Sequence, residues 1–177
     1  MRIGLISDTH LLVEELPEEI MRAFAEVDLI LHAGDVYAEH ILERLEQIAP
    51  VLAVEGNGDR GRSYQKDVPP ARVFSLNGLR VGMVHELIQT GKPTQRTLDD
   101  VIERLFGEVP DVFVFGHTHV PFLDTSRPDF ILVNPGSTTY PFNRMRQLGH
   151  VGLMEVSEGQ TDLRIIDLKE LTDGRSA

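Results

Sequence analysis

Apolar and polar residues alternate in blocks through the first third of the chain. Short apolar runs at residues 2–6, 29–32 and 51–54 each end in a polar loop, as buried strands do. Between them, segments 16–27 and 41–48 repeat apolar residues at helical spacing. Strand, helix, strand, helix, strand in this order predicts right-handed crossovers and a parallel sheet. In such a sheet, ligands bind beyond the carboxyl ends of the strands.

The second half of the chain changes to hairpin patterns. Asn77 and Gly78 separate two strand-like runs, which predicts a hairpin with a type I′ turn over residues 72–84. The other predicted elements of this half are a helix over 94–106, a strand over 111–115 and hairpins over 122–133 and 149–168, with turns at 126–129 and 158–159. Parallel units followed by hairpins predict an α/β fold, with two mixed β-sheets packed together and flanked by helices.

Length and composition predict one folded domain over residues 1–177, with 171–177 as a frayed tail. A net charge of −11 argues against a general nucleic-acid surface or an anionic-membrane surface. It does not exclude a phosphate substrate, because the local charge of a metal outweighs the global sign. The absence of cysteine excludes disulfides, thiolate zinc sites and cysteine nucleophiles. No apolar run approaches the roughly 18 residues that span a bilayer, and we expect a cytoplasmic protein without a membrane partner.

Residues of the types that commonly bind metals follow the predicted strands. They are Asp8 and His10, Asp35, Asn57, His85, and His117 with His119. Mixed oxygen and nitrogen ligands suit Mn, Fe, Zn, Co or Ni better than Ca. Seven groups are too many for one tetrahedral ion and about right for two. Asp35, on a central strand, is the expected bridging carboxylate.

The two neighbouring histidines lie in the segment 113–120. In extended backbone, side chains at i and i+2 point to the same side, so His117 and His119 would bind one ion. Gly116 before them and Pro121 after them indicate a turn instead. Spacing alone favours the shared ion.

Together these motifs resemble those of the calcineurin-like metallophosphoesterase superfamily. The motifs in order are Asp8-x-His10, Gly34-Asp35, Gly56-Asn57, His85 and Gly116-His117-Thr118-His119. The short length and the segment Asn134-Pro-Gly-Ser137 resemble its small bacterial and archaeal phosphodiesterase branch, which is related to the retromer subunit Vps29. The resemblance covers residues 3–137 and implies a four-layer αββα sandwich with a dinuclear site. It places Asp8, His10, Asp35 and His119 on one ion and Asp35, Asn57, His85 and His117 on the other.

The resemblance also implies an activity. We expect a metal-dependent phosphodiesterase in which a hydroxide bridging two divalent ions attacks a phosphodiester of a small molecule. Manganese is the first choice of metal, with Fe, Zn, Ni or Co as alternatives, and a homodimer is an option. The Asn57 amide is expected to stabilise developing charge, Asp59 to orient His10 or another imidazole, and Arg144 to bind substrate. The alternative functions are a phosphomonoesterase or nucleotide phosphatase, and a non-catalytic scaffold that binds proteins.

Two positions depart from the family pattern. Gly58 stands where the family often has a histidine that assists the leaving group, which indicates substrates with good leaving groups or another proton donor, such as His10 or a water. Leu87 stands where a second histidine often follows His85. Several residues also have simpler interpretations: Asn57 as a turn former, His32 as a buried structural histidine, and the arginines as solvated surface charge.

Overall fold

The computed structural model describes residues 1–87, 98–157 and 160–172. Its strands are β1 Arg2–Ile6, β2 Leu29–His32, β3 Val51–Ala53, β4 Ala71–Leu76, β5 Leu79–Val84, β6 Val112–Val114, β7 Phe122–Arg127, β8 Phe130–Asn134, β9 His150–Ser157 and β10 Gln160–Asp167. Its α-helices are α1 Glu18–Ala23, α2 Glu39–Glu46 and α3 Leu98–Phe106. Within the described ranges, no helix is both long enough and apolar enough to cross a membrane.

The strands form two mixed sheets of five. The first has the order β10-β9-β1-β2-β3 and the second β4-β5-β6-β8-β7. Strands β1, β2 and β3 run parallel to one another, and so do β5, β6 and β8. Hairpin partners complete each sheet in the antiparallel sense. The predicted parallel unit followed by hairpins is therefore confirmed.

Alternate side chains on the strands build the layers. Ile3 and Leu5 of β1 pack against Val81 and Met83 of β5, in the apolar cluster between the sheets. The opposite face of the first sheet packs against α1 and α2, and the opposite face of the second packs against α3. This arrangement is the predicted αββα sandwich, because each sheet has one apolar face for its partner and another for helices.

The hairpin turn at Asn77 and Gly78 has the predicted geometry. Both residues have left-handed backbone, with φ of 47° and 85°, as a type I′ turn requires.

The limits of α1 and β7 differ from prediction. Helix α1 covers only Glu18–Ala23, because the chain beyond it tightens into turns: the Val27 N–H donates to the Phe24 carbonyl just before β2 begins. Strand β7 continues to Arg127 through a register shift, so the turn at 126–129 is shorter than expected. The predicted start of the third helix at 94–97, the turn at 158–159 and most of the frayed tail lie outside the described residues.

Candidate metal centre

All seven predicted ligands lie where parallel strands end. In the first sheet, Asp8 and His10 follow β1, Asp35 follows β2, and Asn57 follows β3. In the second sheet, His85 follows β5, and His117 and His119 follow β6. Parallel strands bring their carboxyl ends to one edge, and packing the sheets face to face brings the two edges together. The site is therefore shared by both sheets.

One group of ligands forms around Asp8, His10 and His119, whose ligand atoms lie within 4.8 Å of one another. The Asp8 Oδ1 atom is 3.4 Å from His119 Nε2 and 3.7 Å from His10 Nε2. The two Nε2 atoms are 2.8 Å apart. Asp35 Oδ2 lies 3.8 Å from His10 Nε2, which connects this group to the next.

A second group forms around Asp8, Asp35 and His85, again with ligand atoms within 4.8 Å. His85 Nε2 is 3.4 Å from Asp35 Oδ1 and 3.8 Å from Asp8 Oδ1. Asn57 Oδ1 lies 3.1 Å from His85 Nε2 and 2.9 Å from His117 Nδ1. The structure thus brings Asn57 and His117 to the His85 side, and His119 to the His10 side.

Backbone contacts orient the imidazoles. His85 Nδ1 lies 2.8 Å from the Ala33 carbonyl, and His119 Nδ1 lies 3.0 Å from the Tyr140 carbonyl. A carbonyl can only accept, so each Nδ1 carries the proton, and in the neutral ring Nε2 presents its lone pair. These lone pairs face the carboxylate and amide oxygens of Asp8 and Asn57. Acceptors aimed at one another are the arrangement that a cation stabilises.

The Asp8 carboxylate supplies the sharpest test of this fit. Its Oδ2 accepts hydrogen bonds from Ser7 Oγ and the His117 N–H, at 2.7 and 3.0 Å. Its Oδ1 is fully buried and has no hydrogen-bond partner among the described residues. A buried carboxylate oxygen without a donor is costly, and a divalent cation would satisfy it. The residues present therefore fit a metal.

The pKa values of these groups respond to burial and to one another. Burial favours neutral Asp8, but the adjacent His119 imidazole, whose Nε2 lies 3.4 Å from Asp8 Oδ1, and the charge of His85 outweigh it and lower the pKa of Asp8. Burial raises the pKa of Asp35 and lowers that of His10. Burial also disfavours charged His119, yet Asp8 overcomes this effect and raises the pKa of His119. Asp8 thus favours positive charge beside it, as a cation site requires.

Backbone strain is concentrated at the ligands. Five of the nine described non-glycine residues with left-handed backbone are predicted ligands: Asp8, His10, Asp35, His117 and His119. The expectation that extended backbone would aim both final histidines at one ion is wrong, since their φ angles are 69° and 60°. The left-handed backbone instead places the His117 ring edge-on to His85 and the His119 ring beside His10. Such conformations persist only where surrounding contacts fix them, as at functional sites.

The glycines before three ligands allow other ligands to approach. A Cβ at Gly56 would lie 2.1 Å from Asp35 Oδ1, and a Cβ at Gly116 would lie 2.9 Å from Asp8 Oδ2. At Gly34 it would meet the side chain of His85 at 2.7 Å. Each glycine thus makes room for a ligand from another strand, which is why Gly-ligand pairs recur along the chain.

Comparison with known proteins decides the family. The chain matches the model of the calcineurin-like phosphoesterase superfamily domain over residues 1–159. It belongs to this superfamily. It is 42% identical over 144 residues to a probable metallophosphoesterase of Methanothermobacter thermautotrophicus, covering 80% of this chain and 79% of that protein. It is 35% identical over 174 residues to a probable metallophosphoesterase of Methanocaldococcus jannaschii, covering 96% and 83%.

Solved structures share the sandwich. Vps29 from Entamoeba histolytica, solved in complex with zinc, has a TM-score of 0.67 at 16% identity, covering 95% of this chain and 99% of that chain. An archaeal phosphodiesterase has a TM-score of 0.66 at 18% identity, covering 94% and 100%. The predicted resemblance to the small branch related to Vps29 is confirmed. The relatives support a phosphoesterase, and the family implies divalent metal binding, for which the Asp and His groups described above are the candidate ligands.

Asp59 shapes the loop of this metallophosphoesterase and does not orient His10. Its two carboxylate oxygens accept hydrogen bonds from the Tyr64 hydroxyl and from the N–H groups of Val36, Tyr37 and Gly56. Burial opposes ionisation, but these donors outweigh it and keep the pKa of Asp59 below its usual value. Both oxygens are used by these donors. Asp59 therefore links the loop of Asp35 to the loop of Asn57, and within the described ranges it makes no contact with an imidazole of the kind that we expected.

The structure places Arg144, the predicted substrate contact, on an exposed loop, and it brings Tyr37, which was not predicted, next to the candidate ligands. Arg144 is exposed on the loop after the short 3-10 turn Pro141–Asn143, and its side chain has no hydrogen bond or ion pair with described residues. Tyr37 was not predicted, although its ring lies edge-on to His10 with centroids 4.6 Å apart. The space beside Gly58 is filled by this ring, which accounts for the missing side chain there. The glycine at position 58 indicates that another group lies close to the backbone there, but only the tertiary structure identifies that group as Tyr37.

Proposed function

We propose that this chain is a metal-dependent phosphodiesterase that holds two divalent ions. The observation that carries the proposal is the buried Asp8 Oδ1 atom, which has no hydrogen-bond donor among the described residues and faces imidazoles from both ligand groups. One carboxylate between two sets of nitrogen ligands supports two neighbouring ions. The complete ligand set favours an active enzyme over a scaffold.

Each residue has a role in the proposal. Asp8, His10 and His119 hold one ion, while Asn57, His85 and His117 hold the other, and Asp35 contacts both groups. The Gly58 N–H donates to Asp35 Oδ1 at 2.7 Å and holds that carboxylate in place. When bound, the ions supply positive charge for the phosphate and lower the pKa of a coordinated water. Manganese is the proposed metal, and Arg144 is a proposed contact for the substrate.

The asymmetry of the site supports ester cleavage. The Asn57 side chain lies on the exposed surface, and His10 and His119 are only partly covered, whereas Asp8 is buried. The centre therefore opens to solvent on the imidazole and amide side and is closed on the carboxylate side. A phosphate approaching from solvent would meet the Asn57 amide and the charge of the bound ions before it meets Asp8.

Hydrolysis of matched aryl esters tests the proposal. Protein incubated with Mn²⁺ should bind two ions per chain by elemental analysis, and should cleave bis-p-nitrophenyl phosphate faster than p-nitrophenyl phosphate. Replacing a ligand, Asp35→Asn or His117→Ala, should lower kcat/KM by more than about a hundredfold. His40→Gln, outside the site, is the control. Faster cleavage of the monoester would replace the diesterase with a phosphomonoesterase, and no turnover with Mn, Fe, Zn, Ni or Co would reject both.

A further inference from the structure

Tyr37 occupies a strained position at the rim of the metal centre. Its φ of 78° is rare for a bulky side chain, and it is held there because its N–H donates to Asp59 Oδ1 at 2.9 Å. Its ring stands at 84° to the His10 ring. The fold thus maintains a costly conformation that keeps this ring beside a metal ligand.

Gly58 and Tyr37 fit one another. A Cβ at position 58 would lie 2.2 Å from Tyr37 Cε1 and 2.8 Å from the hydroxyl oxygen. The phenol therefore occupies the space that any side chain following Asn57 would enter. Its hydroxyl has no hydrogen-bond partner within the described part of the chain, although it lies next to the loop that carries Asn57. A fixed donor that is left unused by the protein is available to a ligand.

Arg62 lies over the Tyr37 ring. Its guanidinium carbon lies 4.8 Å from the Tyr37 ring centroid, and its Nε donates to the Gly58 carbonyl at 2.9 Å. These two contacts orient an exposed side chain that would otherwise be free. The two terminal nitrogens have no partner among residues 1–87, 98–157 and 160–172. In a chain of net charge −11, this places an oriented cation beside the centre.

We propose that Tyr37 and Arg62 form a phosphate-recognition pair at the edge of the metal centre. The Tyr37 hydroxyl and the Arg62 terminal nitrogens donate hydrogen bonds to oxygens of the phosphoester, on the side of Asn57. The identity of the ligand rests on the proposed function, since phosphate is the group that the centre would bind. Planar guanidinium donors and a phenol hydroxyl suit an anionic tetrahedral oxygen cluster.

Binding of inorganic phosphate tests the pair independently of turnover. Calorimetric titration of metal-loaded protein should give a dissociation constant about tenfold higher for Tyr37→Phe and for Arg62→Gln than for the unmodified chain. Phenylalanine keeps the ring against Gly58 and His10, so only the hydroxyl is removed. The control is Arg60→Gln, which removes an equal charge from an exposed neighbour and should change the constant less than twofold. Metal content, measured by elemental analysis, should be equal in all four proteins.

Kinetics separate the pair from the proposed function. If the chain cleaves the diester, both variants should raise KM about tenfold. Phosphate constants that stay within twofold in both variants would overturn the pair, and so would equal weakening by Arg60→Gln or loss of metal in Tyr37→Phe. If the chain binds phosphate through the pair but cleaves no ester, the pair stands and the proposed function fails.

Discussion

At the scale of single residues, the metal centre combines conformations and contacts that destabilise a folded chain. Left-handed backbone at five ligands and a buried carboxylate oxygen without a donor each cost free energy. Neighbouring residues offset this cost. His32 is one of them: its ring is fully buried, its Nδ1 accepts from the Gly34 N–H at 3.2 Å, and its Nε2 lies 3.3 Å from Thr9 Oγ1. Thr9 Oγ1 also lies within hydrogen-bond distance of the Asp35 carbonyl.

His32 predicts a pH dependence of stability for the metal-free protein. Burial, opposed by the charges of Asp59 and Asp8, lowers the pKa of His32 from 6.5 to about 4. The unfolded chain therefore binds more protons between these values, and stability falls as the pH falls through them. The loss from His32 should be roughly 2 kcal/mol between pH 7.5 and pH 5. Urea unfolding at both pH values should show a smaller loss in His32→Gln, and an equal loss in both proteins would contradict the assignment.

At the scale of elements, hydrogen bonds join the loops that follow different strands. Asn134, the last residue of β8, has a side-chain nitrogen that donates to the Gly116 carbonyl at 2.7 Å and to Thr118 Oγ1 at 3.0 Å. Ser137 Oγ donates to the Asp8 carbonyl at 2.7 Å. One loop thereby fixes both the loop of the final histidines and the loop of Asp8.

Removing the Asn134 side chain should loosen this brace. Asn134→Ala leaves the buried Gly136 N–H without its acceptor, and it removes one of the two donors to the Gly116 carbonyl, which keeps the Thr118 N–H. Unfolding in urea should show a loss of about 2–3 kcal/mol, and Mn²⁺ affinity by calorimetry should fall about tenfold or more. The control is Asn143→Gly, which removes an exposed amide bonded to the Thr118 carbonyl at 3.0 Å and accepts its φ of 55°. Equal effects of both variants would show that Asn134 has no special role.

At the scale of the whole molecule, the centre exists only when both sheets are assembled. Asp8, His10, Asp35 and Asn57 belong to one sheet, and His85, His117 and His119 to the other. The unfolded chain separates Asp8 from His119 by more than a hundred residues. A metal held at this centre would therefore bind the native state and should stabilise it.

The thermal midpoint reports this linkage. At a free Mn²⁺ concentration of about 100 times the dissociation constant, one site adds about 2.7 kcal/mol, which corresponds to a rise in Tm of roughly 5–10 °C. Scanning calorimetry with Mn²⁺ and with a chelator should show this difference. Because the net charge of −11 also attracts cations non-specifically, the comparison is with Asp8→Asn, which should lose the rise. A rise that persists in Asp8→Asn would assign it to the acidic surface.

The amino-acid sequence by itself determined the order of the strands, the layers and the candidate metal ligands. Buried strands need apolar side chains and end in polar loops, and parallel strands gather those loops at one edge, so Asp8, Asp35 and His85 could be selected from local pattern. Asn77 and Gly78 likewise specify their turn, because few other residues adopt its backbone at low cost.

Only the tertiary structure decided how these residues are divided between the two ligand groups. The separation of His117 from His119 depends on left-handed backbone held by distant contacts, including the Gly116 N–H on the His85 carbonyl at 2.9 Å. Contacts between distant segments also fix Asp59, whose carboxylate oxygens accept from backbone N–H groups. They likewise fix Tyr37, whose ring fills the space beside Gly58. Local spacing cannot encode these outcomes, because each is set by groups that meet only when the sheets pack.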